Sequence, residues 1–247
     1  MTNAQKPTEN DAPAVNDERI RLKQQGYALL EYDNGPVHSY PYDAPWLTDA
    51  TFSRLYDQIR NNTLVDRVRC YSLYLIVQQI RNVPGDILEV GTWRGGTAGL
   101  LATLEPARTI FAADTFRGVV KSSAWEHYQD QAHDDTSEEL VRTFLETDLA
   151  LTNCRILTGI FPEDTGSQIH GRQLALVYLD VDVYQSTKDA FEYVWDQLSV
   201  HGIVVFDDYG MINACEGISR FVSEIQGDDD KLFISNLNGQ AYIVKLR

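Results

Sequence analysis

The chain is poor in several things, and each shortage removes a class of protein. Only three cysteines, Cys70, Cys154 and Cys215, occur in 247 residues. They are odd in number, far apart and without metal-ligand spacing, so they frame neither a disulfide scaffold nor a zinc site and are expected as free thiols packed like small apolar groups. Basic residues are scarce, 21 Lys and Arg against 36 Asp and Glu, for a formal net charge of -15. A nucleic-acid partner needs clustered Lys and Arg, so this balance argues against one. No apolar run approaches the roughly 20 residues of a bilayer span, and positions 1–25 are polar and acidic with no signal-peptide core. The expectation is a cytoplasmic protein away from membranes. Internal repeats are absent from the sequence.

What is present reads as one globular domain. The hydrophobic share of 43% over this length supplies a sizeable single core. Residues 1–17, rich in Asn, Pro, Ala and Asp, bury too little to offset their ordering entropy and are expected as a flexible tail ahead of a domain over 18–247. Helical spacing begins near Leu47, with Phe52, Leu55, Tyr56 and Ile59, and resumes with Leu73, Ile76, Val77 and Ile80. These segments, about 47–82, are expected to form a helical cover over a ligand or a partner subunit.

Beyond them strands and helices alternate, which implies a parallel sheet with helices on both faces. Strands are expected at Asp86–Val90, Thr109–Ala113, Cys154–Leu157, Leu174–Leu179 and Ile203–Phe206. Helices are expected at about Gly96–Leu104, from Ser186 to Leu198 with a stripe of Phe191, Val194, Trp195 and Leu198, and over Ile218–Ile225 with Gly227 as C-cap. Lys231–Ser235 and Ala241–Leu246 break the alternation as two antiparallel strands joined across Asn238-Gly239, a favoured turn pair. A dinucleotide-binding sheet would continue with crossover helices. A terminal hairpin suits instead the Rossmann-like sheet of class I S-adenosylmethionine-dependent methyltransferases, seven strands and mostly parallel.

Three strand ends carry the chemistry. The first reads Glu89-Val90-Gly91-Thr92-Trp93-Arg94-Gly95-Gly96. Gly91 permits a tight turn, and Gly95 and Gly96 let backbone approach a ligand while opening a helix. The spacing departs from G-x-G-x-x-G, against a dinucleotide. Glu89 ends an otherwise apolar strand, where a carboxylate can accept hydrogen bonds from cofactor or loop amides. Asp114, about twenty residues on at the end of the second strand, stands where an acid accepts from a ribose diol.

The other two ends bring Asp180 and Asp182, then Asp207 and Asp208. Neighbouring strands should make these four carboxylates converge, and their repulsion in a partly dry cleft calls for a divalent cation. Oxygen-only ligands favour Mg²⁺, Mn²⁺ or Ca²⁺ over zinc, with positions left for water and substrate.

The run from Gly85 to Gly96, with Leu179-Asp180-Val181-Asp182-Val183-Tyr184-Gln185-Ser186-Thr187 and Asp207-Asp208-Tyr209, resembles the macrocin O-methyltransferase family from about Thr63 to the end of the hairpin. The resemblance implies S-adenosylmethionine- and Mg²⁺-dependent methylation of a sugar hydroxyl in antibiotic biosynthesis, by a homo-oligomer. It implies that Glu89, Gly91, Thr92, Arg94, Gly95 and Asp114 hold the cofactor and that Asp180, Asp207 and Asp208 ligate the metal. Two positions depart from the family pattern: Val181 stands where Gly is frequent, and Arg117 where an acid is common.

An alcohol is a poor nucleophile until its pKa is lowered, and a nearby carboxylate must then take the proton. Asp182, or Asp180 itself, is the candidate base. His127 and His133, in a polar stretch from Lys121 to Glu139 read as a loop or lid, compete for that role; Trp125, Tyr128 and Tyr184 are candidates to stack on a sugar or aglycone. His38, His170 and His201 have no special context. Two other readings stay open: methylation of a catechol-like hydroxyl, and a non-catalytic module that binds a cofactor or nucleotide sugar.

Overall fold

Apolar strands separated by helices long enough to cross back over them pair in parallel, and five such strands form the centre of this protein. The computed structural model describes residues 27–30, 38–211 and 214–247; the expected tail over 1–17 lies outside them. The chain divides into two units between Arg54 and Leu55. In the first, β1 (Tyr27–Leu30) pairs antiparallel with β2 (His38–Asp43), a pairing without counterpart in the sequence expectations. A short helix, α1 (Pro45–Thr48), is followed by α2 (Ala50–Ile59), which crosses the division. Asp49 caps α2 by accepting hydrogen bonds from the amides of Thr51 and Phe52 at 2.8 and 2.9 Å.

The second unit opens with α3 (Arg67–Gln79), whose N-cap Asp66 accepts from the amides of Val68 and Arg69. There follow β3 (Asp86–Val90), α4 (Gly96–Leu104), β4 (Ile110–Asp114), α5 (Glu138–Arg142), β5 (Cys154–Thr158), β6 (Leu174–Leu179), α6 (Tyr184–Trp195), β7 (Leu198–Phe206), α7 (Glu216–Ile225), β8 (Lys231–Ser235) and β9 (Ala241–Lys245). The seven-stranded sheet has the order β5-β4-β3-β6-β7-β9-β8. Its first five strands are parallel, and β9 runs antiparallel to both β7 and β8. The order reverses between β3 and β6, so their carboxyl ends flank the crevice where such sheets keep ligands. Register sets Glu89 beside Tyr178 and Val90 beside Leu179, and therefore the glycine loop beside Asp180.

Burial explains β6: all six residues of Leu-Ala-Leu-Val-Tyr-Leu are buried, as a strand covered on both faces requires. Phe191 and Val194 of α6 and Ile218, Phe221 and Val222 of α7 join one apolar cluster with Phe206 of β7. The Phe191 ring lies 5.2 Å from Trp195, 5.8 Å from Phe206 and 5.5 Å from Phe221.

Several boundaries differ from the sequence expectations. Helix α6 ends at Trp195 and not at Leu198, because Leu198 already pairs with Leu174. Strand β7 then shifts register before Ile203, and His201 takes a φ of 67° there. Helix α7 ends at Ile225, and Gly227 follows without the left-handed turn of a glycine C-cap. The terminal hairpin closes through a three-residue loop, Leu237-Asn238-Gly239: Asn236 bonds to the Gln240 carbonyl at 2.9 Å, and Gly239 alone takes positive φ.

The polar stretch is irregular from Thr115 to Thr136 and then becomes helical. Ser137 caps α5, which continues as a π turn over Thr143–Asp148. Its apolar side explains two glycines of α4 and its approach. A Cβ on Gly95 would meet Val141 at 3.1 Å, and one on Gly99 would meet Leu149 at 2.7 Å.

Phe191 is the contact shared by α6, α7 and β7. Phe191→Ala should lower the unfolding free energy by about 3 kcal/mol, the usual cost of emptying an aromatic core site, with an unchanged denaturant slope in urea titration; a loss under about 1 kcal/mol would mean the cluster re-forms around the gap.

Candidate active site

A cleft with about 1180 Å³ of empty space opens at the carboxyl ends of the parallel strands, and all the residues that line it belong to the second unit. Its first wall is the turn after β3. Gly91 (φ 92°) donates its amide to the Ala113 carbonyl at 2.9 Å, Trp93 takes a φ of 48°, and Gly95 (φ 86°) opens α4. A Cβ on Gly91 would lie 1.7 Å from the Asp180 carbonyl oxygen, so no other residue fits between the two loops. Gly91, Thr92, Trp93 and Thr97 line the cleft.

Glu89 lies behind them, fully buried. Its Oε2 accepts from the Thr92 hydroxyl at 2.9 Å, whereas Oε1 has no partner among the described residues. Burial pushes this carboxyl up to about 7, against the opposing pull of the Thr97 and Thr92 hydroxyls. Asp114 lines the cleft and organises the same turn: its Oδ2 accepts from the Trp93 amide and its Oδ1 from the Phe116 amide, both at 2.7 Å. Burial raises its pKa while these amides hold it down. Each carboxylate oxygen has two acceptor sites, so Asp114 keeps capacity for a diol.

The adjoining wall holds the four aspartates. One carboxylate oxygen from each of Asp180, Asp207 and Asp208 lies within 4.8 Å of the others. Oxygens around one Mg²⁺, at roughly 2.1 Å each, stand about 3–4 Å apart, so small side-chain adjustments suffice. Burial and mutual repulsion raise the pKa of Asp180, Asp182 and Asp207 together. The Tyr178 hydroxyl and the Gln240 amide donate to Asp207 Oδ1 at 2.5 and 2.7 Å. Arg69 Nη1 donates to Asp207 Oδ2 and, at 2.9 Å, to Asp208 Oδ1. Asp182 adopts a φ of 64°, and the Cys215 thiol approaches its Oδ1 at 3.7 Å.

A glycine turn with an acid behind it and a carboxylate cluster beside it, lining one cleft, agrees with what sequence comparison finds. A family model described as Macrocin-O-methyltransferase (TylF) matches residues 58–232. The chain belongs to the macrocin O-methyltransferase family.

It is 32% identical over 235 residues to 8-demethyl-8-(2,3-dimethoxy-alpha-L-rhamnosyl)-tetracenomycin-C 4'-O-methyltransferase of Streptomyces olivaceus, covering 84% of this chain and 89% of that one. It is 31% identical over 166 residues to mycinamicin III 3''-O-methyltransferase of Micromonospora griseorubida, covering 61% of this chain and 65% of that one. The solved structure of the O-methyltransferase NovP superposes with a TM-score of 0.63 at 29% identity, over 75% of this chain and 83% of that one. The protein is therefore an S-adenosylmethionine-dependent O-methyltransferase with the Rossmann-like class I fold.

The structure distributes the sequence-expected positions of this methyltransferase unevenly. Gly91, Thr92, Asp114, Asp180, Asp182, Asp207 and Asp208 all line the cleft. Glu89 stands one layer behind. Arg94 does not line it: its guanidinium pairs with Asp135 at 2.6 Å and lies over the Trp93 ring at 4.5 Å. Gly95 is turned to helix packing against Val141. Of the loop residues, His133 and Tyr128 line the cleft with ring centroids 4.9 Å apart, while His127 packs edge-on against Tyr128 outside it. Tyr184 is engaged elsewhere, its hydroxyl on Glu224 at 2.7 Å and its ring on Phe221. Trp125 lies 5.5 Å from the Arg220 guanidinium. The three cysteines are free thiols, with Cys70 and Cys215 buried.

The sequence offered little warning of Arg69, Gln240 or Glu126. Tyr178 did carry a signal, as the one polar-tipped residue in an otherwise aliphatic strand. Glu126 is buried inside this polar loop, where it accepts from the Tyr184 amide at 2.6 Å and the Ser123 amide at 2.8 Å, tying the loop to the start of α6.

The folded chain retains on Glu89 a proton that an unfolded chain releases near pH 4.5. The stability this group contributes is complete below that pH and is lost as pH rises through about 7. Cofactor-free Glu89→Gln should thus gain in Tm on the parent protein between pH 5 and pH 8; two curves that stay parallel over that range would show that Glu89 does not titrate there.

Proposed function

We propose that this methyltransferase acts on a hydroxyl of a sugar carried by a small molecule, with a Mg²⁺ ion held by Asp180, Asp207 and Asp208. The observation that carries the reading is the convergence of these oxygen donors beside the glycine turn, within one cleft. Mn²⁺ and Ca²⁺ suit the same all-oxygen set. The name of the Streptomyces olivaceus relative gives a rhamnosyl-bearing tetracenomycin as its substrate, which supports a glycosylated acceptor here. The net charge of -15 opposes a nucleic acid as acceptor. We also infer a homo-oligomer, checked by light scattering, with a monomer at working concentration as the contrary result.

When bound, S-adenosylmethionine supplies an electrophilic methyl group and a divalent ion lowers the pKa of a hydroxyl it polarises. The rest belongs to the chain. Gly91 would bring backbone against the cofactor, Thr92 and Thr97 would stand between it and the Glu89 carboxyl, and Asp114 would accept from its ribose hydroxyls. Arg94 and Gly95 support this turn from outside the cleft. Asp180, Asp207 and Asp208 hold the cation, and Tyr178 and Gln240 fix Asp207 so that its lone pairs do not wander. Asp182 receives the proton of the acceptor hydroxyl at Oδ2, its Oδ1 being turned to Cys215. Burial beside Asp208 raises its affinity for that proton. Tyr128 and His133 close the cleft from the loop side and exclude water.

Titration calorimetry with S-adenosylhomocysteine and Mg²⁺ is the direct test. Asp207→Asn should abolish Mg²⁺ uptake while S-adenosylhomocysteine binding persists within about threefold; retained Mg²⁺ uptake would overturn the metal assignment. Asp182→Asn should lower kcat about a hundredfold or more with cofactor and Mg²⁺ binding unchanged, and full turnover would remove Asp182 from proton transfer. Competition between a rhamnosylated acceptor and a catechol separates the sugar reading from its aromatic alternative, with preferred turnover of the catechol as the contrary result.

A further inference from the structure

The acidic cluster already has a cation in it. Arg69 projects from the first turn of α3, its side chain 12% exposed, and reaches two of the three proposed metal ligands with one nitrogen, Nη1. Its Nε is held at 2.8 Å by Oδ2 of Asp66, the residue whose other oxygen caps α3. The guanidinium is therefore anchored from behind and presented forward. Asp207 and Asp208 lie 138 and 139 residues further along the chain, so this is a tertiary contact and not a local helix pair.

Asp207 Oδ1 is saturated from the protein side by Tyr178 and Gln240, which leaves Oδ2 as the oxygen free to face a ligand, and that is the oxygen Arg69 holds. On Asp208 the same guanidinium nitrogen takes Oδ1. Arg69 also lines the cleft, beside Thr63, Leu64 and Val65 of the segment leading into α3.

We propose that Arg69 is a resident counter-cation that competes with the divalent ion for Asp207 and Asp208, and so sets the metal affinity of the site. The inference rests on the metal reading above. Four carboxylates and one guanidinium leave a net charge near -3 at the cluster when all are ionised. Arg69 lets the chain fold with these groups together, and an arriving ion must share or displace its contacts. A guanidinium suits this role because it stays charged at every working pH and spreads its donors over several oxygens. An ammonium on a flexible stem keeps the charge but cannot hold Asp66 and both distal aspartates in one fork.

The test reads metal binding without turnover: Mn²⁺ titration followed by electron paramagnetic resonance, and Mg²⁺ titration by calorimetry, on cofactor-free protein. Arg69→Gln should bind either ion about tenfold more tightly, since removing a charge at contact distance strengthens attraction for a cation. Its metal-free Tm should fall below that of the parent, with a larger rise on adding Mg²⁺. Arg69→Lys, which keeps the charge, should stay within about threefold of the parent affinity; it also keeps the test open if the glutamine variant folds poorly. Unchanged or weaker binding by Arg69→Gln, beside parent protein that binds metal and loses it in Asp207→Asn, would overturn the role of Arg69 alone. No metal uptake by parent or variants would overturn it together with the metal site.

Discussion

Carboxylates brought together out of water repel, and much of the ligand-facing end of this protein is built around that repulsion. Two unit charges 4 Å apart interact by about 4 kcal/mol at the effective dielectric of a partly buried site. The parallel register of β3, β6 and β7 gives no freedom to separate them, because Asp180 and Asp207 follow directly from paired strand residues. The chain compensates with donors from distant places: Arg69 from α3, Tyr178 from within β6, and Gln240 from the hairpin. Burial first, and the remaining repulsion second, leave the proton affinities of Asp180, Asp182 and Asp207 raised.

The same register sets the glycine turn and the aspartate loops, the proposed cofactor and metal sites, on one frame. The Asp180 amide donates to the Val90 carbonyl at 2.9 Å, and the missing side chain of Gly91 admits the Asp180 carbonyl. The turn after β3 and the loop that carries Asp180 are thus packed back to back. Methyl transfer needs donor and acceptor held in line. A frame in which the two walls share backbone hydrogen bonds supplies that alignment more firmly than two independent loops would.

Much of this was legible in the sequence because the signals are local. An apolar run that ends in Gly or Asp announces both the strand and the side chain at its end, which is how β3, β4, β6 and β7 and their carboxylates could be read. The hairpin was legible from two β-like runs around Asn-Gly, but its three-residue loop was not, since the choice between a two- and a three-residue turn depends on strand register. The pairing of Arg94 with Asp135 was not legible, because the partner lies 41 residues along the chain. Nor was the packing at Gly95, whose missing side chain makes room for Val141 of the next helix. Arg69 and Gln240 were invisible, because their partners lie 138 and 33 residues away along the chain.

The hydrogen bonds of the cluster also rank its members. Asp207 receives donors at both oxygens and is the least free to move, so it defines where a cation can sit. Asp182 is held differently, by a left-handed backbone and a weak thiol contact, in a turn closed by the Val183 amide on the Val181 carbonyl at 2.7 Å. A positive φ on a non-glycine residue costs on the order of 1 kcal/mol or more and persists where the surroundings enforce it. Asp182 lines the same cleft as Asp208, and the thiol that reaches it is a weaker donor than those on Asp207. On the roles proposed above, a group that takes up and releases a proton in each turnover needs the looser hold and a metal ligand the tighter one, which matches how Asp182 and Asp207 are held.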